Sequence, residues 1–116
     1  MRYLLLLRGD DRAAEAAGPE MARRCHEWAA EAARRGVRQA GTGLRPPAEA
    51  KTIRVRDGAA LLTDGPFAET KEQIGGYNIL ECPDRETAVE VASRHPWAEA
   101  GTLELREIVD GPPTAS

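Results

Sequence analysis

Aromatic side chains are scarce in this chain: phenylalanine, tryptophan and tyrosine together make up 4% of its 116 residues. Hydrophobic residues of all kinds reach 41%, so alanine, leucine and valine must fill a modest core. The length predicts one domain, which we place at residues 1–110. The remaining residues, 111–116, contain a Gly-Pro-Pro run, and we expect a disordered tail there.

Long apolar runs and clusters of one charge are also missing. The run from Leu4 to Leu7 is far too short for a signal-peptide core or a membrane span, which predicts no membrane partner. The 16 basic and 19 acidic residues are spread along the chain, which argues against a nucleic-acid partner. Cys25 and Cys82 occur without an export signal, so we expect reduced thiols and a cytoplasmic protein.

Several familiar catalytic and cofactor motifs are absent. Gly75-Gly76 is followed by no Gly-Lys-Ser/Thr ending, and no dinucleotide fingerprint or Gly-x-Ser-x-Gly elbow occurs. The two histidines and two cysteines lack the short paired spacing of a structural zinc site. The sequence therefore predicts neither a cofactor nor a metal.

The chain does contain a regular succession of strand and helix patterns. Tyr3–Leu7 reads as a strand that is apolar on both faces, and a helix should begin at Gly18-Pro19-Glu20 and end at Gly36. Further strands are predicted at 37–44, 76–82 and 102–109, and Asp84 should cap a second helix that ends near Arg94. Residues 51–63 form a hairpin around Asp57-Gly58, and either a bulge or an exposed edge is expected at Glu107-Ile108.

This order predicts an α+β ferredoxin-like sandwich with an inserted β-hairpin. Both helices should cover one face of the sheet, while Leu4–Leu7 indicates that the other face is apolar as well. A bare apolar face on so small a domain needs a partner, and a homodimer is the simplest one.

The most distinctive stretch is Thr63-Asp64-Gly65-Pro66-Phe67-Ala68-Glu69-Thr70-Lys71-Glu72-Gln73-Ile74-Gly75-Gly76-Tyr77. This run, together with Pro46-Pro47 and Asp57-Gly58, resembles the signature of the DGPF branch of the YCII-related family. The resemblance implies a dimeric α/β-barrel protein, similar in fold to small-molecule enzymes such as lyases and isomerases. It also implies, by family analogy only, a regulatory setting beside an extracytoplasmic-function sigma factor.

In the YCII branch a histidine on the first helix and an aspartate near the end of the second are proposed as a catalytic pair. The resemblance maps the first position onto Cys25, with His26 next to it, and the second onto His95-Pro96-Trp97. This chain departs from the pattern at both places. The implied acid–base pair is then either absent or rebuilt as a cysteine–histidine or a histidine–histidine pair.

The candidate catalytic residues are therefore His95, Asp64, His26 and Cys25, each with a plain structural alternative. His95 is expected at a helix C-terminus, where the helix dipole favours its charged form, and it is either a general acid or base or a helix-terminating residue. Cys25 shares the apolar stripe of the first helix and reads as a small buried hydrophobe unless its pKa is lowered. His26 lies about 100° further around that helix, at a solvent boundary. Asp64 either accepts backbone N–H groups in its own turn, or binds a substrate or takes a proton from it.

Three further residues are candidate substrate contacts: Arg8, Lys71 and Tyr77. Arg8 ends the first strand and Lys71 lies in the signature loop, so either cation is a possible contact for an anion. Tyr77 either places its hydroxyl in a cleft or packs. The resulting prediction is a cofactor-free enzyme that moves a proton on a small anionic or aromatic molecule. The alternative is a ligand-binding or regulatory protein without catalysis.

Overall fold

The computed structural model describes residues 1–66 and 72–109. Its main feature is a four-stranded antiparallel sheet in the order β2-β5-β1-β6. The sheet strands are β1 (Arg2–Gly9), β2 (Arg38–Gly43), β5 (Gln73–Glu81) and β6 (Thr102–Glu107). The protein is thus a mixed α+β protein, as the pattern of strands and helices predicts.

A separate two-stranded hairpin is formed by β3 (Lys51–Arg56) and β4 (Ala59–Asp64). Asp57 and Gly58, at the turn, have φ angles of 51° and 76°, the left-handed values that a two-residue hairpin turn requires. The predicted hairpin and its turn are confirmed. Because its side chains are almost all exposed, this hairpin has no core of its own.

Three α-helices connect the strands: α1 (Asp11–Ala17), α2 (Met21–Arg34) and α3 (Arg85–Ser93). Helix α1 was not predicted, because its alanine-rich segment carries too few apolar residues to show a helical stripe. Helix α2 begins at Met21, so Pro19 precedes it rather than opening it. Gly36 follows α2 with φ 73°, and Asp84 accepts the Thr87 N–H at 2.8 Å, which confirms both predicted caps. No helix in the described part of the chain is long and apolar enough to cross a membrane.

The core lies between one face of the sheet and helices α2 and α3. Alternate strand residues such as Tyr3, Leu5 and Leu80 are buried there against Trp28 and Val91. The residues between them, Leu4, Leu6, Tyr77 and Ile79, face the other side of the sheet and stay partly exposed. The two faces of β1 are therefore both apolar, and the two main helices cover one of them.

Of the two alternatives for Glu107-Ile108, the exposed edge is confirmed, because β6 is an edge strand of the sheet. The β1–β6 register runs without a shift to Glu107, and the Ile108 N–H continues it to the Arg2 carbonyl at 2.8 Å, so no bulge occurs there. Gly75 and Gly76 lie inside β5, and a Cβ at Gly76 would lie 3.0 Å from the Thr42 carbonyl oxygen, so the two backbones approach closely there. The irregularity is instead a register shift opposite Leu7 and Arg8, where the glycines let the backbone deviate.

Candidate functional site

A cavity of about 390 Å³ lies between α2 and the β2–β5 side of the sheet. It brings together Cys25 and His26 from α2 with His95 from the segment after α3. Its apolar wall includes Leu7, Trp28 and Ala29, and its polar wall includes Arg38 and Asn78. Three of the four predicted catalytic residues thus line one cavity.

His95 is the most buried of these residues, with 3% of its surface exposed. It caps a short 3₁₀ turn at Pro96–Glu99, and its Nδ1 accepts the backbone N–H of Trp97 at 3.1 Å. The Trp28 ring packs on the imidazole with 4.5 Å between centroids. Trp28 is itself held by a 3.0 Å bond from its Nε1 to the Val91 carbonyl, so the imidazole sits against a fixed surface.

Burial determines the charge of His95. Desolvation lowers its pKa to about 4, so the imidazole is neutral near pH 7. The expectation that the helix dipole favours the charged form is therefore wrong, because loss of hydration outweighs it. Since Nδ1 accepts a hydrogen bond, the proton of the neutral ring must be on Nε2.

The Nε2–H group of His95 has no hydrogen-bond partner among the described residues. Among the described residues no side-chain nitrogen or oxygen is both buried and without a hydrogen-bond partner. Nδ1 makes the one hydrogen bond found for the ring, so Nε2 keeps accessible surface, and His95 lines the cavity. His95 thus offers a hydrogen-bond donor to the cavity rather than a ready proton acceptor.

Arg38 and Asn78 form the polar wall, and neither was singled out from the sequence. Asn78 is buried at 7% exposure, and its Oδ1 accepts the Arg38 Nε–H at 2.8 Å. Arg38 Nη2 also donates to the Gly41 carbonyl at 3.0 Å. The sequence held a signal for Asn78: it lies two residues before the buried Leu80, on the inward side of an alternating strand.

Gly41 makes room for this pair. A Cβ at that position would lie 2.4 Å from Asn78 Oδ1 and 2.9 Å from Arg38 Nη2. A side chain of any kind would therefore displace the amide that fixes the guanidinium. Gly43, two residues further along β2, is under no such constraint, since a Cβ there would meet its first neighbour at 3.9 Å.

The two α2 residues of the cavity differ in environment. Cys25 is partly buried, and desolvation raises the pKa of its thiol against a smaller opposing effect of the Arg24 charge. It is therefore a thiol, in agreement with the packing alternative, and a weak nucleophile. His26 is exposed and lines the same cavity, so a ligand there meets one buried and one solvated imidazole.

The model of the YCII-related domain matches residues 1–111. The chain belongs to the YCII-related family. An uncharacterized protein of Rhizobium meliloti (strain 1021) is 41% identical over 49 residues, which span 42% of this chain and 40% of that protein. The chain thus matches well under two thirds of that relative's length.

The remaining predicted site residues of this YCII-related chain lie elsewhere. Asp64 is on the hairpin with 84% of its side chain exposed, and its carboxylate pairs with Lys51 across the strands. Hydrogen bonds of Asp64 to its own turn are not found within the described residues, and residues 67–71 lie outside them. Asp64 does not line the His95 cavity, because the hairpin is not part of the main sheet.

Arg8 is also outside the cavity. Its Nη1 lies 3.4 Å from Glu104 Oε1, and its Nη2 donates to the Glu72 carbonyl at 3.4 Å. The Arg8 carbonyl accepts the indole N–H of Trp97 at 2.8 Å. In this YCII-related chain Arg8 therefore ties β1 to its neighbours. Lys71 lies outside the described residues, as does the predicted tail at 111–116.

Tyr77 lines the cavity, although its side chain belongs to the other face of the sheet. It pairs with Leu6 in the β1–β5 register, and directly opposed residues project to the same face. Its backbone, rather than its hydroxyl, therefore borders the cavity. In residues 1–66 and 72–109 no three histidine, cysteine, aspartate or glutamate side chains are grouped so that they could hold a metal ion.

Proposed function

We propose that this YCII-related protein is a cofactor-free enzyme, lyase-like or isomerase-like, that moves a proton on a small anionic or aromatic molecule. The observation that carries the proposal is the neutral His95, whose Nε2–H borders a cavity shared with His26. A buried imidazole held in one tautomer is a fixed donor for an oxygen that gains negative charge during the reaction.

His95 acts as the electrophile in this mechanism. Its Nε2–H donates to a substrate carbonyl oxygen and stabilises the enolate that forms when the neighbouring carbon loses a proton. The Trp97 N–H holds Nδ1 as an acceptor, and the low pKa keeps the ring neutral, so the donor is present throughout the neutral pH range. No proton has to leave His95 in this role.

His26 is the proton acceptor. It is solvent-exposed, lines the cavity beside Cys25, and takes the proton from the substrate carbon through a ring nitrogen. Return of that proton to another carbon completes an isomerisation, and its delivery to a leaving group completes an elimination. Of the two rebuilt pairs that the resemblance allows, the histidine–histidine pair is favoured, because the raised pKa of Cys25 opposes a thiolate.

The test uses phenylpyruvate, a small aromatic anion with an acidic carbon next to its carbonyl. Deuterium uptake at that carbon in D2O, followed by NMR, reports proton transfer without knowledge of the natural substrate. We expect uptake faster than in buffer, with a loss of roughly 10²- to 10⁴-fold in His95→Asn and in His26→Asn. Asparagine retains an acceptor for the Trp97 N–H, so His95→Asn should keep the fold.

Arg34→Gln is the matched control, since Arg34 is an exposed residue of α2 that pairs with Glu31. It should exchange deuterium like the unmodified protein. Equal rates in the unmodified protein and in His95→Asn would contradict the proposal.

A second candidate function is ligand binding or regulation without catalysis. It is favoured by one observation: the resting tautomer of His95 leaves no proton acceptor in the buried part of the described cavity. In that case phenylpyruvate would bind and shift the His95 resonances without any gain in deuterium uptake. The association with an extracytoplasmic-function sigma factor rests on the family resemblance alone.

We further propose that residues 1–110 form a single domain with the ferredoxin-like fold, and that the chain belongs to the DGPF branch of the family. Two copies of the chain form a homodimer. The strand order and the antiparallel pairing support that fold. Ile53 and Leu62, cross-strand neighbours on the hairpin, are 67% and 69% exposed, as expected for a surface that a partner covers. The two free thiols agree with a cytoplasmic protein.

A further inference from the structure

Three arginines of this chain are partly buried: Arg8, Arg24 and Arg38. Arg8 and Arg24 each lie against a carboxylate, Glu104 at 3.4 Å and Glu99 at 2.5 Å. Arg38 instead contacts an amide oxygen and a carbonyl oxygen, and it has no carboxylate partner among the described residues. A partly buried cation held only by neutral groups is poised for an anion.

The hydrogen bonds of Arg38 also define where such an anion binds. They use Nε–H and one hydrogen of Nη2, which leaves both hydrogens of Nη1 and the second of Nη2 without a bond to any described residue. The free donors form the outer fork of the guanidinium. Two parallel N–H groups match the two oxygens of a carboxylate.

The surroundings of the fork favour a single negative charge on an apolar body. Among the described residues that line the cavity there is no aspartate, glutamate or lysine and no second arginine. The nearby wall is apolar and aromatic, with Leu7, Trp28 and Ala29. A phosphate dianion would find one cation and few donors, whereas an aryl or alkyl carboxylate finds both parts of the cavity complementary.

We propose that Arg38, held in place by Asn78 and the Gly41 carbonyl, is the carboxylate-binding residue of this cavity. Its ligands are monocarboxylates with an aromatic or short aliphatic body. The inference rests on the proposed function in one respect: it assigns the substrate class of the same cavity. It is tested by binding alone, without turnover.

Titration calorimetry with benzoate and with benzamide, an uncharged molecule of the same shape, tests the carboxylate. Benzoate should bind, and benzamide should bind roughly tenfold or more weakly, because the charge-assisted pair is lost. Arg38→Gln should weaken benzoate by a similar factor, whereas Arg38→Lys, which keeps the charge without the fork, should fall between the two. Arg34→Gln is the control and should bind like the unmodified protein.

Three results would overturn the assignment: equal binding of benzoate and benzamide, no change in Arg38→Gln, or tighter binding of inorganic phosphate than of benzoate. Circular dichroism of each variant establishes that it is folded. The two proposals fail separately. Loss of deuterium exchange in His95→Asn with benzoate binding insensitive to Arg38 removes this inference only. Arg38-dependent binding with no exchange in any variant removes the catalytic function only.

Discussion

The low pKa of His95 predicts a specific dependence of stability on pH. The folded protein holds the imidazole with a pKa of about 4, whereas an unfolded chain gives histidine a pKa near 6.5. Between these values the unfolded state binds a proton that the folded state does not. The contribution of His95 to the free energy of unfolding should therefore be fully present above pH 6.5. It should be lost as the pH falls from 6.5 towards 4.

The size of this effect follows from the two pKa values. The full difference corresponds to about 3 kcal/mol, of which about 2 kcal/mol should be lost between pH 7 and pH 5. Carboxylates also titrate towards the acid end of this range, so the contribution of His95 must be isolated by difference. His95→Asn removes the titration while an amide oxygen still accepts the Trp97 N–H.

The assay is urea unfolding at pH 5, 6, 7 and 8, followed by far-UV circular dichroism at one protein concentration. The unmodified protein should lose about 2 kcal/mol more than His95→Asn between pH 7 and pH 5, since the other groups cancel. Parallel pH curves for the unmodified protein and His95→Asn would refute the burial of a neutral imidazole, as would an NMR titration midpoint of His95 near 6.5.

Three further outcomes are expected. Gly41→Ala should destabilise the protein by about 1–3 kcal/mol in urea unfolding, because its Cβ would lie 2.4 Å from Asn78 Oδ1. Gly43→Ala should leave the stability unchanged, because its Cβ would meet its first neighbour at 3.9 Å. Equal effects of the two substitutions would contradict this reasoning. Cys25 should react with iodoacetamide more slowly than an unstructured cysteine peptide at pH 7.5, because burial raises its pKa, and faster reaction would indicate a thiolate. Light scattering at micromolar concentration should give twice the 12.6 kDa mass of the chain, and Leu62→Lys should reduce the measured mass. A stable monomer at that concentration would contradict the dimer.

The sequence predicted the strands and helices well wherever a local signal exists. The caps at Gly36 and Asp84 and the turn at Asp57-Gly58 depend on backbone conformations that few residue types satisfy. The residue types at these positions are therefore enough to locate them. Helix α1 was missed because its only buried residue is Ala13, which gives no apolar stripe. Its N-cap, Asp10, accepts the Ala13 N–H at 2.9 Å and was the one available sign.

The site was predicted only in part, because convergence of residues in space depends on which face each strand presents. Cys25, His26 and His95 do meet in one cavity, although they come from segments about 70 residues apart in the chain, as the resemblance implied. Asp64 and Arg8 were proposed from their places at strand ends. In the structure one lies on a separate hairpin and the other lies beside Glu104. Neither outcome has a local signature in the sequence.

The same physical reason accounts for the charge of His95 and for the position of Arg38. A group removed from water keeps its charge only where a partner compensates for the lost hydration. At His95 the Trp97 N–H donates to Nδ1, and no anion lies nearby in the described cavity. The imidazole therefore stays neutral, with its one proton on Nε2. Arg38 carries a guanidinium, and Asn78 and Gly41 supply oxygen atoms that accept hydrogen bonds from one edge of it. A neutral donor and a fixed cation in one cavity then differ in what they recognise: the arginine binds charge already present on the ligand, and the histidine binds charge that appears during the reaction.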